Sequence, residues 1–216
     1  MARIEFERAR TDKQKDYRVT EIVKATARLL KSKSFNEINL TEIAREASFT
    51  RSNLYKYFET KEEIFLELLK RDLVQLRKDL EKVYKNDKTP TAEKFARKWV
   101  ATQSRHKRLI KLFSILYTSI ERNSSLEKLI EFKELARDEL KFLIDLLCRL
   151  FPTLSIEEAN EFMHTSMAVA LGLYPMSHLG DKQVKALEVA GIAHTRADFD
   201  SFFERAVCHL IRGFIE

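Results

Sequence analysis

The sequence predicts an all-α protein, and three features of its 216 residues support this fold class. Glycine and proline are scarce, with four and three copies, so the chain lacks the turn formers that sandwiches, barrels and doubly wound sheets require. Apolar residues recur at helical spacing along most of the chain. A Ser or Thr followed three residues later by Glu, a pattern that caps helix N-termini, precedes several of these stretches. We therefore expect about nine or more helices.

Three helices are predicted in the N-terminal part. The first covers residues 16–33, where apolar side chains form one stripe. Thr41 is the predicted N-cap of a short second helix that ends near Ala47. Residues 48–49 form a predicted tight turn, and a third helix, also short, follows over residues 50–58. Two short helices joined by a tight turn fit a helix-turn-helix.

The rest of the chain is predicted to form a helical bundle. No flexible linker precedes it, so we place the domain boundary near Glu59, giving a helix-turn-helix domain over residues 1–59 and a bundle over residues 60–216. Pairs of capping residues and prolines set the predicted helix ends. The predicted helices cover residues 60–85 (opened by Thr60 and Glu63), a segment with Phe95 and Trp99, residues 109–120, 124–151 (opened by Ser124 and Glu127), 155–174 (opened by Ser155 and Glu158, stopped by Pro175) and 198–214, with a less regular stretch over 176–197.

Positive charge is concentrated at the N-terminus. The net charge is +6, and residues 1–58 hold 13 Lys and Arg against 8 Asp and Glu. The other 158 residues are almost neutral, with 26 basic and 25 acidic side chains. A localised basic excess is the electrostatic footprint of a phosphate-binding surface, although a solvated helical surface would have the same composition.

Catalytic, cofactor and metal motifs are absent from the sequence. The four glycines are too far apart for a GxGxxG or a P-loop, and neither GxSxG nor HExxH occurs. His106, His164 and His178 lack the i, i+3 or i+4 spacing of a helical metal site. Cys148 and Cys208 lie in apolar helical runs, which indicates reduced core cysteines. We expect no enzyme, no cofactor, no metal, no signal peptide and no membrane span, and hence a soluble cytoplasmic protein.

The segment over residues 41–61 carries the features that point to DNA. Leu54 and Phe58 are four residues apart and form the natural inward pair of the third helix. Polar and aromatic residues then lie on its outward half. Such a helix fits the major groove, where Arg51 can hydrogen-bond guanine bidentately and hydroxyl groups can reach phosphates. The outward set is Arg51, Ser52, Tyr55 and Lys56, and the candidate phosphate contacts are Thr41, Tyr55, Tyr57 and Lys61.

Residues 18–69 resemble the DNA-binding domain of the TetR/AcrR transcriptional regulators. The resemblance rests on Thr-Glu-Ile-Ala at residues 41–44, on Asn-Leu-Tyr-Lys-Tyr-Phe at 53–58 and on Thr-Lys-Glu at 60–62. It departs from the family where Ser34, Ser48 and Ser52 stand at positions often occupied by Gly. The resemblance implies phosphate contacts at the hydroxyl residues and Lys61, and base reading by the start of the third helix. The candidate DNA-binding residues are Thr41, Thr50, Arg51, Ser52, Asn53, Tyr55, Lys56, Tyr57 and Lys61.

For the bundle, the resemblance implies a homodimer through the last two long helices and a small-molecule site within the bundle. The Phe-rich last helix and the small residues Ala168, Ala170 and Gly172 of the preceding helix suit close helix packing, but both helices could instead be the core of a monomer. Each candidate pocket residue could likewise be plain core. These candidates are Trp99, Phe113, Tyr117, Met163, Met167 and Tyr174.

The function predicted from the sequence is a dimeric regulator of double-stranded operator DNA. Repression released by a small-molecule effector is the leading interpretation, because it is the usual activity in the family that the chain resembles. Two alternatives remain at this point: an activator of the same fold, and an all-helical interaction module whose helix-turn-helix does not bind DNA.

Overall fold

The structure is a computed structural model that describes residues 2–192 and 198–216. This part of the chain is helical and contains no strand, which confirms the predicted all-α class. It has nine α-helices of seven residues or more and one of four. The helices are α1 Ala2–Leu29, α2 Leu40–Glu46, α3 Arg51–Leu54, α4 Lys61–Tyr84, α5 Ala92–Gln103, α6 Lys107–Phe113, α7 Leu126–Leu150, α8 Ile156–Ser177, α9 Asp181–Val189 and α10 Phe199–Ile215.

The chain forms two compact units. The N-terminal unit comprises the residues up to Arg71 together with Leu116–Lys133, and the C-terminal unit comprises Asp72–Ile115 and Glu134–Glu216. The division into residues 1–59 and 60–216 stays a prediction. A π-helical segment over Leu116–Ile120 and 3₁₀ turns over Ser104–His106 and Glu121–Asn123 supplement the α-helices.

An apolar core holds the N-terminal unit together. Phe35 and Phe65 pack with ring centroids 4.8 Å apart, and Ile22 of α1, Ile43 of α2 and Leu54 of α3 are fully buried. Burial of these side chains is the main force that fixes such short helices, since helices of four to seven residues are marginal in isolation. The core therefore fixes the orientation of α2 and α3.

Aromatic residues form the core of the C-terminal unit. Phe95 lies 5.3 Å from Trp99 and 5.8 Å from Phe162, measured between ring centroids. The Tyr84 hydroxyl is fully buried and donates a hydrogen bond of 2.8 Å to the carbonyl oxygen of Phe95. Helix α10 packs on α5 and α8 through a buried stripe that includes Phe203. This core supports the cavity described below.

Several predicted helix ends differ from the structure. Helix α1 begins at Ala2, well before residue 16, because the chain ahead of the apolar stripe is also helical. Ser125, rather than Ser124, caps α7, since its hydroxyl accepts from the Lys128 N–H. The capping box of Ser155 and Glu158 is confirmed at α8.

Helix α8 contains a proline that the sequence prediction treated as its end. The helix passes through Pro175 and continues to Ser177 instead of stopping at residue 174. Proline has no N–H, so the carbonyl oxygen of Leu171 receives no helical hydrogen bond from residue 175. Helix α9 lies within the stretch predicted to be less regular, and residues 193–197 of that stretch lie outside the described residues.

Among the described helices, none is long and apolar enough to cross a membrane. The same residues hold no group of three or more His, Cys, Asp or Glu side chains that could bind a metal ion.

Candidate nucleic-acid interface and ligand cavity

Asn39 begins the second helix, which corrects the prediction that Thr41 is the N-cap. The Asn39 side chain accepts a 3.0 Å hydrogen bond from the Glu42 N–H, and the Glu42 carboxylate accepts one of 3.4 Å from the Asn39 N–H. Asn is among the preferred N-cap residues, and this reciprocal pair is a capping box. Thr41 consequently lies inside the first turn of α2 with its side chain exposed.

The side chain of Lys33 also contacts the start of α2. Its ammonium group bonds the Glu42 carboxylate. This hydrogen bond is the largest influence on that carboxyl group and holds the pKa of Glu42 below its usual range. Glu42 therefore stays ionised at the positive end of α2, where a negative charge is favourable.

The turn between α2 and α3 has left-handed backbone at Ser48, where φ is +60°. The Phe49 N–H donates to the Ala44 carbonyl at 2.8 Å, and the Ser48 N–H donates to the Arg45 carbonyl at 3.1 Å. These two bonds are those of a Schellman motif, which commonly ends helices with Gly in the left-handed position. The predicted turn at residues 48–49 is confirmed, and Ser48 adopts the conformation that Gly tolerates best.

Helix α3 is shorter than predicted, because only Arg51–Leu54 is α-helical and residues 55–57 form turns. Thr50 is its N-cap, with the hydroxyl oxygen accepting from the Asn53 N–H at 3.2 Å. The predicted inward pair is confirmed, since Leu54 is 0% and Phe58 4% exposed. The hydrophobic anchors thus hold a very short helix in place.

Four side chains of this segment face solvent as predicted: Arg51, Ser52, Tyr55 and Lys56. The Arg51 guanidinium donates to the Tyr55 hydroxyl through Nη2 at 2.8 Å and through Nε at 3.2 Å. This bond restricts both side chains on the exposed face. Asn53 and Tyr57 are half-buried beside them.

Lys61 bonds the protein itself, a role that the sequence did not indicate. Its Nζ donates to the carbonyl oxygens of Phe35 and Ile38, both at 2.9 Å, and lies 4.3 Å from the centroid of the Phe35 ring. Two of its three N–H donors are therefore used to join the start of α4 to the loop before α2. Its contact with a phosphate stays a prediction.

Glu63 is a buried carboxylate near the start of α4. It accepts from the Glu59 N–H at 2.7 Å and from the Ser125 N–H at 3.2 Å. Burial alone would raise the pKa of Glu63, but hydrogen bonds from Ser125 and Glu59 outweigh it and lower the pKa. The predicted capping pair forms in part, since Thr60 Oγ1 accepts from the Glu63 N–H at 3.3 Å.

A surface groove brings three of the predicted DNA-binding residues together. Thr41, Arg51 and Lys61 line a depression of about 640 Å³ at the N-terminal ends of α2 and α4. Backbone N–H groups at a helix start attract anions. Acidic side chains also line the groove, so its charge is mixed: they are Glu42, Glu59 and Glu62.

A small apolar cavity of about 100 Å³ lies in the C-terminal unit. It brings together four of the six predicted pocket residues. Ten further residues line it and were missed, although the i, i+3 and i+4 spacing of Leu73, Leu76 and Leu80 on α4 could have indicated some of them. The lining residues are Leu73, Leu76, Leu80, Trp99, Gln103, Leu109, Ile110, Phe113, Leu143, Met163, Ser166, Met167, Ala170 and Leu171.

The structure places the other two predicted pocket residues elsewhere. Tyr117 is 52% exposed on the π-helical segment, with the Lys133 ammonium 5.4 Å from its ring centroid. Tyr174 stacks on His178 at a centroid distance of 4.2 Å, and its partial burial raises its pKa. Neither residue lines the cavity, because helical spacing alone does not define which helices a side chain faces.

Comparisons with known proteins identify the family. Residues 22–68 match the family model of bacterial regulatory proteins of the tetR family, and residues 70–216 match the tetracyclin repressor-like C-terminal domain. No curated protein sequence matches the chain significantly.

Solved structures with the same fold share little sequence with the chain. The fatty acid degradation regulator FadR of Bacillus halodurans is 15% identical, with 91% of this chain and 95% of that chain covered and a TM-score of 0.57. FadR of Bacillus subtilis, in complex with stearoyl-CoA, is 18% identical over 91% and 99%, with a TM-score of 0.55. A TetR/AcrR regulator of Thermobifida fusca is 17% identical over 88% and 96%, also with 0.55. With family models matching both parts of its length, the chain belongs to the TetR family of bacterial regulatory proteins.

Proposed function

We propose that the protein represses transcription by binding operator DNA and is released when a small molecule occupies its C-terminal unit. One observation carries the DNA part. Arg51, Ser52, Tyr55 and Lys56 are exposed on a segment whose Leu54 is fully buried, so a rigid core presents a polar surface. A recognition helix in the major groove needs this arrangement.

Different residues of this surface have different proposed roles. Arg51 reads guanine, for which its guanidinium can donate two hydrogen bonds. Tyr55 positions Arg51 through the bonds to its hydroxyl. Thr41 and Tyr57 contact phosphates, which orient the protein on the duplex without reading sequence.

The first test compares DNA from upstream of the protein's own gene with scrambled DNA by fluorescence anisotropy across a salt series. Arg51→Ala is expected to lower affinity for the upstream DNA by about 1–3 kcal/mol while changing affinity for scrambled DNA little. Arg137→Ala is a matched control, because Arg137 is exposed on α7 and pairs with Asp138. An equal loss on both DNAs would show that Arg51 contributes charge only, and absence of binding at low salt would favour the interaction-module alternative.

A homodimer through α8 and α10 is the second part of the proposal. Met176 of α8 and Phe202 of α10 are 63% and 45% exposed, and Ala168 and Gly172 on α8 are exposed small residues. Apolar and small side chains of this kind suit a helix-helix interface. A dimer also presents two recognition helices to two half-sites. The mass in solution, measured by analytical ultracentrifugation, tests it, and Phe202→Glu is expected to shift the protein towards monomer.

The effector part follows from the cavity. A ligand that binds better to the form with low operator affinity shifts the population away from DNA, and a coupling of about 1–3 kcal/mol is sufficient. FadR of Bacillus subtilis, which has the same fold, was solved in complex with stearoyl-CoA, and this supports the binding of an effector by the present chain. Unchanged operator affinity in the presence of a bound ligand would contradict this coupling.

A further inference from the structure

The cavity of the C-terminal unit is lined by uncharged side chains. None of its fourteen lining residues is charged, and all except Gln103 and Ser166 are aliphatic, aromatic or Met. Burial of an ion without a partner is strongly unfavourable, so a ligand whose charge must enter this cavity would lose its hydration without compensation. The lining therefore favours an uncharged, mostly apolar occupant.

The two polar side chains of the lining do not change this preference. The hydroxyl of Ser166 already donates to the Met163 carbonyl at 3.2 Å, so its hydrogen is used within α8. Gln103 is the last residue of α5 and is half-buried. Its carboxamide can donate and accept hydrogen bonds but carries no charge. These side chains therefore tolerate one neutral polar group on a ligand and cannot neutralise an ion.

Polar bonds hold together the two helices on one side of the cavity. The Arg108 guanidinium of α6 donates to both carboxylate oxygens of Asp72 on α4, at 2.8 and 2.5 Å. His106 Nε2, just before α6, lies 3.0 Å from Asp79 Oδ2 of α4. The residues that line the cavity from these helices are Leu73, Leu76 and Leu80 of α4 and Leu109, Ile110 and Phe113 of α6. Moving α4 away from α6 would break these charge-assisted bonds, so this side of the cavity resists expansion.

The volume of the cavity limits the size of the ligand. It is about 100 Å³, whereas an engineered apolar cavity of about 150 Å³ is known to hold benzene. Met163 and Met167 line the cavity, are half-buried and have flexible side chains that can adjust to an occupant of this size. A molecule with two fused rings or a long acyl chain exceeds the volume, and the bonds between α4 and α6 oppose the expansion that it would need.

We propose that this cavity binds an uncharged, mostly apolar molecule of about six non-hydrogen atoms. The proposal rests on the proposed function, because it takes the cavity to be the effector site, and it deepens that function by naming the class of effector. Burial of the hydrocarbon surface of the molecule provides the affinity. The uncharged lining excludes anions and cations, and the bonded helices exclude larger molecules.

Five probes test the limits on charge and size: benzene, phenol, benzoate, benzylammonium and naphthalene. Labelled methyl groups of Met163 and Met167 report binding in a ¹H–¹³C correlation spectrum. Met176 lies on the same helix, is 63% exposed and does not line the cavity, so its methyl signal is the internal control. Benzene and phenol are expected to move the first two signals saturably. Benzoate, benzylammonium and naphthalene are each expected to bind at least about tenfold more weakly than benzene.

Two pairs of variants relate binding to the cavity. Ala170→Leu places a larger side chain in the lining and is expected to abolish benzene binding, whereas Ala101→Leu, at an exposed position of α5, should leave it unchanged. Leu143→Ala enlarges the cavity and is expected to raise the affinity for naphthalene relative to benzene about tenfold. Leu126→Ala, at an exposed position of the same helix α7, should keep the preference for benzene. If a cavity variant fails to fold, the five probes on the unaltered protein still decide.

Three results would overturn the proposal: a charged probe that binds as tightly as benzene, tighter binding of naphthalene than of benzene, or no saturable binding of benzene. A Met176 signal that moves together with those of Met163 and Met167 would overturn it as well, because binding would then not be confined to the cavity. Operator binding is measured separately without probe. Operator binding without benzene binding rejects the ligand class alone, whereas benzene binding by a protein that does not bind operator DNA rejects the proposed repression alone.

Discussion

The helix-turn-helix surface and the C-terminal core treat polar atoms in opposite ways. Around α2 and α3, several polar side chains are bonded to one another or to the backbone, as Lys61 is to two carbonyls and Arg51 to Tyr55. In the C-terminal unit, the buried indole N–H of Trp99 has no hydrogen-bond partner among the residues that the structure describes. The exposed surface of α2 and α3 therefore pairs several of its polar groups, whereas the described part of the C-terminal core leaves one buried donor unpaired.

The largest expected effect tests how far the N-terminal region depends on its internal bonds. Lys61→Met removes two charge-assisted hydrogen bonds, and we expect it to lower the free energy of unfolding by about 2–4 kcal/mol. Chemical denaturation followed by circular dichroism measures this.

Lys56→Met is the control for Lys61, because Lys56 is exposed on the same unit, and its effect on stability should stay within about 0.5 kcal/mol. A stable Lys61→Met variant with uniformly weaker DNA binding and a flatter salt dependence would instead support the phosphate contact. That result would mean that the bonds of Lys61 within the N-terminal unit contribute little to its stability.

A medium effect tests a satisfied polar group in the C-terminal unit. Tyr84→Phe removes a buried hydroxyl that donates to the Phe95 carbonyl, and a loss of about 1 kcal/mol in unfolding free energy is expected. Thermal unfolding is the measurement. An unchanged free energy of unfolding would mean that the buried hydrogen bond of Tyr84 does not stabilise this unit.

The smallest expected effect is an increase in the free energy of unfolding. Ser48→Gly relieves left-handed backbone at φ +60°, which we expect to raise unfolding free energy by about 0.5 kcal/mol, partly offset by the greater freedom of Gly in the unfolded chain. Ser52→Gly is the control, since Ser52 lies in helical backbone and the same change there should destabilise. If both variants lose stability, the turn is not strained.

The helix-turn-helix was predictable because it depends on local patterns. Leu54 and Phe58 sit four residues apart, and their burial follows from that spacing. The N-cap at Asn39 was missed because Asn and Thr are both favourable N-cap residues and Thr41 stands only two residues further on. The sequence predicts Lys61 as a phosphate contact and does not indicate its bonds within the protein, since nothing in the sequence relates it to carbonyl groups more than twenty residues away.

The cavity was predictable only in part. Trp99, Phe113, Met163 and Met167 line it, but Tyr117 does not. All are apolar or aromatic residues at helical spacing, so the sequence could not distinguish a side chain that lines the cavity from one that faces solvent. The π-helical segment over Leu116–Ile120 changes the local phase of the helix, which ordinary 3.6-residue periodicity does not anticipate.

Pro175 affects the local unfolding of α8. Because no N–H at that position bonds the Leu171 carbonyl, the last turn up to Ser177 is joined to the body of the helix by one hydrogen bond fewer. Segments with fewer backbone bonds open locally at lower free energy than the rest of the fold. Amides after Pro175 should therefore exchange their hydrogens with solvent before those near Ala170. Leu171, which lines the cavity, then lies at the border between a tightly protected part of α8 and an end that opens readily.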